Sequence, residues 1–150
     1  MFLFKKKEFF TDEDKQLIVE AVQHAEQRTS GEIRVFVEHR CRYVNAIDRA
    51  IEIFENLQMH KTQLRNAVLV YVAIKDRQLA VFGDEGIHEK VGNEYWAGEV
   101  VKMIHAFNRE NIAQGIAQCV KNIGEALCTH FPYDKDTDKN ELPDDIVFGK

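Results

Sequence analysis

Residues 67–74 read Ala67-Val68-Leu69-Val70-Tyr71-Val72-Ala73-Ile74. The run is almost continuously apolar and rich in β-branched side chains, the pattern of a central strand covered on both faces. Lys75-Asp76-Arg77-Gln78 follows as a polar turn, and Leu79 to Phe82 is a short strand able to fold back as a hairpin. Gly83-Asp84-Glu85-Gly86 ends that strand. Upstream, Ile33, Val35 and Val37 alternate with Arg34, Phe36 and Glu38, which predicts another strand. Between the two, Val44, Ile47, Ile51 and Phe54 form the apolar stripe of a helix.

The flanks are helical in pattern. Thr11-Asp12-Glu13-Asp14 has the form of an N-cap with acids in the first turn. Leu17, Ile18, Ala21, Val22 and Ala25 then recur at helical spacing, and Gly31 supplies a stop, which predicts a helix over about 12–29. Downstream, Trp96, Val100, Met103, Ile104 and Phe107 predict a helix after an Asn93 cap. Ile112, Ile116, Cys119, Val120, Ile123 and Leu127 predict a last one, closed by Phe131-Pro132. Helices before, between and after a small hydrophobic sheet imply an α/β domain with helical layers on both faces.

The chain has 150 residues, 45% of them hydrophobic and 30% charged, the composition of an ordinary globular domain. About two-thirds of the unfolded surface of such a chain is buried on folding, so neither metal nor disulfide staples are needed. A formal net charge of −5 argues against a general nucleic-acid binder, which needs clustered Lys and Arg. Lys5-Lys6-Lys7 is too short for such a footprint. No apolar window reaches the length of a membrane span. The apolar start followed by lysines reverses the order of a secretory signal. Cys41, Cys119 and Cys128 are odd in number without CxxC spacing and read as reduced thiols, so the expected address is cytoplasmic. Residues 1–132 are read as one α/β/α domain and 133–150 as an acidic tail. Apolar residues beside acids at its end, Asp144-Asp145-Ile146-Val147-Phe148, suggest that it docks.

The spacing of functional side chains excludes several chemistries. The six histidines show neither HxH nor HExxH, which argues against a zinc hydrolase. No P-loop is present, and Gly83, Gly86 and Gly92 do not give a dinucleotide fingerprint. Cys41 lies between a strand and a helix, as the nucleophile of a thiolate phosphatase does. The position six residues on, where a phosphate-clamping arginine is needed, holds Ile47.

Two acidic clusters remain. One is the Gly83–Gly86 turn with Asp84, Glu85 and nearby Glu89, and Asp76 in the turn at the hairpin's other end. Carboxylates on glycine-bounded turns can converge with backbone carbonyls, as hard cations require, although Asp also favours turns for its own hydrogen bonding. The other cluster is Asp134-x-Asp136-x-Asp138 with Glu141, Asp144 and Asp145. It echoes a calcium loop but carries Lys139 where an EF-hand needs glycine and Asp145 where it needs glutamate.

The order of these motifs resembles the TPM domain family, which includes thylakoid-lumen proteins of photosystem repair. The resemblance rests on Thr29-Ser30-Gly31-Glu32-Ile33 and on Arg65-Asn66-Ala67-Val68-Leu69-Val70-Tyr71-Val72. It continues through Asp76-Arg77, Gly83-Asp84-Glu85-Gly86-Ile87 and the Ala113–Ile116 stretch, spanning about residues 10 to 130. It implies a three-layer α/β/α sandwich around a small, about four-stranded mixed sheet. It also implies a divalent-metal site, often calcium, on loops at one end of the sheet, with Asp76 and Asp84 the best ligand candidates. Some plant members are described as acid phosphatases, others as repair, assembly or receptor-accessory factors. Ala67 stands where many members have glycine, and the signal peptide and membrane anchor common in the family are missing here, so a stand-alone cytoplasmic member is expected.

The resulting expectation is a divalent-cation-binding regulatory or interaction module, monomeric, with another protein as partner and no nucleic acid or membrane span. Its candidate ligands are Asp76, Asp84, Glu85, Glu89, Asp138, Glu141, Asp144 and Asp145, and its ion is Ca²⁺ rather than strictly Mg²⁺. The alternative is a metal-dependent acid phosphatase, for which the sequence offers no evident nucleophile and only Arg77 as a neighbouring clamp.

Overall fold

A computed structural model describes residues 10–134 and 145–149. In chain order the elements are α1 (Asp12–Glu26), β1 (Glu32–Glu38), α2 (Ala46–Asn56), β2 (Ala67–Ala73) and β3 (Gln78–Gly83). They continue as α3 (Glu85–Val91), α4 (Asn93–Asn108), α5 (Ile112–His130) and β4 (Val147–Phe148). The sheet order is β3-β2-β1-β4, with β1 parallel to both β2 and β4 and β3 antiparallel to β2. A parallel pair needs a crossover, which α2 supplies between β1 and β2; the four-residue turn between β2 and β3 can only reverse the chain.

The two faces of the sheet are covered unequally. Ile33, Val35 and Val37 of β1, Val68, Val70 and Val72 of β2, and Leu79 and Val81 of β3 pack against α1, α4 and α5 in the larger core. Leu69, Tyr71 and Ala80 face α2, whose Ala50, Ile53 and Phe54 cover them. All seven residues of β2 are buried, as its continuous apolar run predicts. No helix among the described residues is long and apolar enough to cross a membrane.

Several details depart from the sequence reading. The first helix stops at Glu26, three residues short of the prediction. Thr29 instead forms an isolated bridge with Pro132, and Gly31 lets Leu127 pack where a Cβ would lie 2.6 Å from Leu127 Cδ2. On α2 the buried stripe is Ala46, Ala50, Ile53 and Phe54, while Val44 is 97% exposed and Ile47 is 39% exposed. Val44 precedes the helix, which begins at Ala46, and within it Ala46, Ala50, Ile53 and Phe54 take the sheet-facing positions and leave Ile47 on the outer side. The alternation in β1 predicts one wet face, yet all seven of its residues are buried. The end of the tail returns as β4, opposite Phe36 and Val37 on the flank of β1, and Gly149 N–H donates to the Val37 carbonyl at 2.7 Å.

Candidate functional site

The β2–β3 hairpin places Asp76 and Asp84 at opposite ends of the sheet. Asp76 lies in the turn at the carboxyl ends of the parallel pair β1 and β2, and Asp84 follows β3 at their amino ends. Six residue steps along β2 separate the two ends by about 20 Å, so no single ion can bind both carboxylates.

At the amino end, the turn predicted at Gly83–Gly86 is the start of a helix. Asp84 is the N-cap of α3, and its Oδ1 accepts the Glu85 N–H at 2.8 Å. Arg65 completes the arrangement: its Nε donates to Asp84 Oδ2 at 2.6 Å and its Nη2 to Asp84 Oδ1 at 2.9 Å. This two-pronged, charge-assisted contact is the strong form of an Arg–carboxylate pair. The Asp84 hydrogen bond raises the pKa of Arg65 further, while partial burial opposes the rise. Arg65 has a left-handed φ of 51°, and its carbonyl accepts the Gly86 N–H at 2.8 Å. A Cβ on Gly86 would lie 2.2 Å from the Leu64 carbonyl oxygen, so this close approach requires glycine. The third guanidinium nitrogen reaches Glu85 Oε1 at 3.3 Å. Both oxygens of Asp84 are therefore taken by donors, one of them a cation, and the site does not fit a metal while Arg65 is in place. Glu85 and Glu89 lie one turn apart on the exposed side of α3.

At the carboxyl end, the ladder between β1 and β2 runs past the strands through Ile74 N–H to Glu38 O and Lys75 N–H to His39 O. Asp76 then takes the next donor: its Oδ2 accepts the Cys41 N–H at 2.8 Å, which ties the β1–α2 loop to the hairpin turn. Among the described residues its Oδ1 meets Arg40 at 3.4 Å, and the Arg40 side chain remains 66% exposed. Beside it, buried Glu38 accepts Arg49 Nε at 2.9 Å, Arg49 Nη2 at 3.0 Å and the Tyr71 hydroxyl. Burial and then the bond to Glu38 push the Tyr71 phenol above its ordinary range. Glu52 accepts from both Tyr43 and Arg49, and those hydrogen bonds, Tyr43 first, hold its carboxyl below the usual range.

Asp145 lies on the flank of β1, away from both ends, where it acts on Arg34; desolvation by burial is the larger influence on that guanidinium and lowers its pKa. Asp138, Glu141 and Asp144 lie outside the described residues. Among the described residues, no three His, Cys, Asp or Glu side chains form a ready-made metal-holding group. Two participants were missed by the sequence reading. Arg65 stands directly before the central strand in one of the quoted motifs, but nothing local aims it at Asp84 nineteen residues later. Glu38 has the parity of Phe36, a signal that its carboxylate turns inward and needs a buried partner.

The model of the TPM domain matches residues 3–126. The chain is similar to the BA42 protein of the psychrophilic bacterium Bizionia argentinensis, solved by NMR. Identity is 39%, the TM-score is 0.86, and the match covers 97% of this chain and 99% of that one. The N-terminal domain of the cg2496 protein from Corynebacterium glutamicum, 13% identical with a TM-score of 0.57, shares the fold over 85% of this chain and 88% of its own. No curated protein matches in sequence. The chain belongs to the TPM domain family.

Proposed function

We propose that this TPM-domain protein is a divalent-cation-binding interaction module whose ion enters at the Asp76 end. One observation carries the reading: Asp76 is held in place through one oxygen by the Cys41 N–H, while among the described residues its other oxygen meets an exposed guanidinium at 3.4 Å. A carboxylate so placed can turn its free lone pairs to a hard cation, with backbone carbonyls of the 39–45 loop and water as further oxygen ligands. In open α/β sheets, ligands favour the crevice outside the carboxyl ends of the strands. With a single carboxylate the affinity belongs in the weak range, with Kd on the order of 10⁻⁴–10⁻³ M for Ca²⁺. Ion binding would order the 39–45 loop against the hairpin turn, and a protein partner would read that order.

Asp138, Glu141 and Asp144 enter this reading through sequence alone, as carboxylates that could raise the affinity. Asp84 enters only if Arg65 swings away. The experiment is the melting temperature in chelator and in millimolar Ca²⁺. A rise should appear in the wild type, persist in Asp84→Asn and vanish in Asp76→Asn. No rise in the wild type refutes the proposal.

The phosphatase reading draws on the exposed Arg40 guanidinium beside Asp76, where a phosphoryl oxygen could be held. It predicts metal-dependent hydrolysis of a model phosphate ester that Arg40→Ala removes. No hydrolysis at saturating metal eliminates it.

A further inference from the structure

The two edges of the sheet are finished differently. On one side β4 covers part of β1, while on the other, among the described residues, β3 has no neighbour beyond β2. Asp84 N–H donates to the Ala67 carbonyl at 2.9 Å, which identifies that position as a hydrogen-bonded pair of the antiparallel ladder. Pairs alternate in such a ladder, so Phe82, Ala80 and Gln78 also turn their backbone groups toward β2. Leu79 and Val81 must then direct their N–H and C=O groups outward. Among the described residues no backbone or side-chain hydrogen bond reaches them, although their residues are only 8% and 3% exposed. Backbone groups that are this enclosed normally find a partner.

The enclosure comes from two walls. Val44 to Ile47, at the start of α2, rise on one side of β3, and Trp96, Ala97 and Val100 of α4 rise on the other. Together with the strand they form a groove of about 330 Å³ in which no lining residue carries a charge. Edge strands are ordinarily guarded by lysine, proline or an inward charge, and Gln78–Gly83 has none of these. Val44 and Ile47 are also among the large apolar side chains left exposed on the molecule. The groove shares Val44, Asn45 and Gln78 with the segments that the proposed cation would order, while its floor, Leu79 and Val81, lies outside them.

We infer that this groove is a docking site for one extended, uncharged segment of a partner protein, which joins the sheet as an added strand beside β3. The unpaired ladder of Leu79 and Val81 asks for another backbone, and the uncharged walls ask for apolar or small polar side chains at alternate positions. The choice of a partner segment over a second copy follows from the relief. The floor is recessed between its walls, so a slim extended chain can reach it, whereas two recessed edges hold each other apart.

The test uses the full chain, isotopically labelled, and an acetylated and amidated hexapeptide of alternating valine and threonine as probe. A second probe carries N-methyl groups at alternate residues, which removes the donors on one edge. The inference expects saturable amide shifts at Leu79 and Val81 with the first peptide and at least about tenfold weaker binding with the second, the loss of one or two hydrogen bonds. Ile47→Lys and Ala97→Lys lie on the exposed walls and should weaken binding to a similar extent without unfolding the protein. The inference is overturned by unmoved Leu79 and Val81 amides at millimolar peptide, or by equal binding of the N-methylated probe. A concentration-dependent dimer abolished by Ile47→Lys also overturns it, since the occupant would then be a second copy.

Discussion

Asp76 and Asp84 close opposite ends of one hairpin, and their surroundings differ in the quantity that matters to a cation. Asp84 is 4% exposed and meets two guanidinium nitrogens and a backbone N–H within 2.9 Å. Asp76 is partly exposed, with one short bond from a backbone N–H and a loose contact at 3.4 Å. The first carboxylate is spent on structure: it caps α3 and fixes the turn that leads into β2. The second ties the β1–α2 loop to the hairpin turn and stays partly exposed. Similar acids in similar glycine- or turn-bounded stretches thus differ in how an arginine meets them, at two points within 2.9 Å on Asp84 and at one point of 3.4 Å on Asp76.

The largest expected effect lies at the Asp84 end. Asp84→Ala removes the cap of α3 and leaves the Arg65 turn without its anchor, and it should cost about 3 kcal/mol in urea unfolding. A cost below about 0.5 kcal/mol, the level of an ordinary surface change, would break the contrast between the two ends. Gly86→Ala comes next, because its new methyl meets the Leu64 and Arg65 carbonyl oxygens, which are backbone and cannot swing aside. It should cost about 2 kcal/mol, and a neutral result would mean that this close approach is not part of the native turn.

At the other end Asp76→Asn keeps an acceptor for the Cys41 N–H. It should change the stability of the chelated protein by less than about 1 kcal/mol. The same variant should abolish the Ca²⁺-dependent rise in stability, which for the wild type is roughly 2.7 kcal/mol at a hundred times Kd. Replacing Asp138, Glu141 and Asp144 together by Asn, Gln and Asn would sharpen this result. A fall in affinity brings the tail carboxylates into the site, and an unchanged affinity leaves the ion to the 39–45 loop and Asp76.

The smallest effect is one of pH. Glu52 has a folded pKa below its unfolded value, because Tyr43 and Arg49 bond its charged form. Its contribution is therefore present above the unfolded carboxylate range and is lost as pH falls through the folded value. Melting curves of the wild type and Glu52→Gln should converge as the solution is acidified below that range. A gap that widens on acidification would contradict the assigned bonds.

The fold was largely legible in the sequence because it rests on periodicity. The buried run at 67–73, the alternation in β1 and the stripe of α5 each depend on residues close in the chain. The errors arose where contacts made far along the chain decide the outcome. Val44 and Ile47 suit a helix stripe by type, but the helix begins only at Ala46, after Val44, and its sheet-facing side carries Ala46, Ala50, Ile53 and Phe54, with Ile47 outside it. Asp84 suits a turn or a metal equally well by type. The presence of Arg65 against it is a tertiary fact, and so is the buried network of Glu38, Arg49 and Tyr71. Acids on turns can be found by pattern, whereas the cation that neutralises each of them is fixed only by the fold.

The most direct test of the contrast is an amide spectrum of the full chain, titrated from chelator with Ca²⁺. Saturable shifts are predicted for residues 39–45 and 74–78, with Glu85 and Gly86 unmoved because Arg65 already neutralises Asp84. Shifts confined to Glu85 and Gly86, or no shift at millimolar Ca²⁺, would contradict the assignment of the open carboxylate to Asp76.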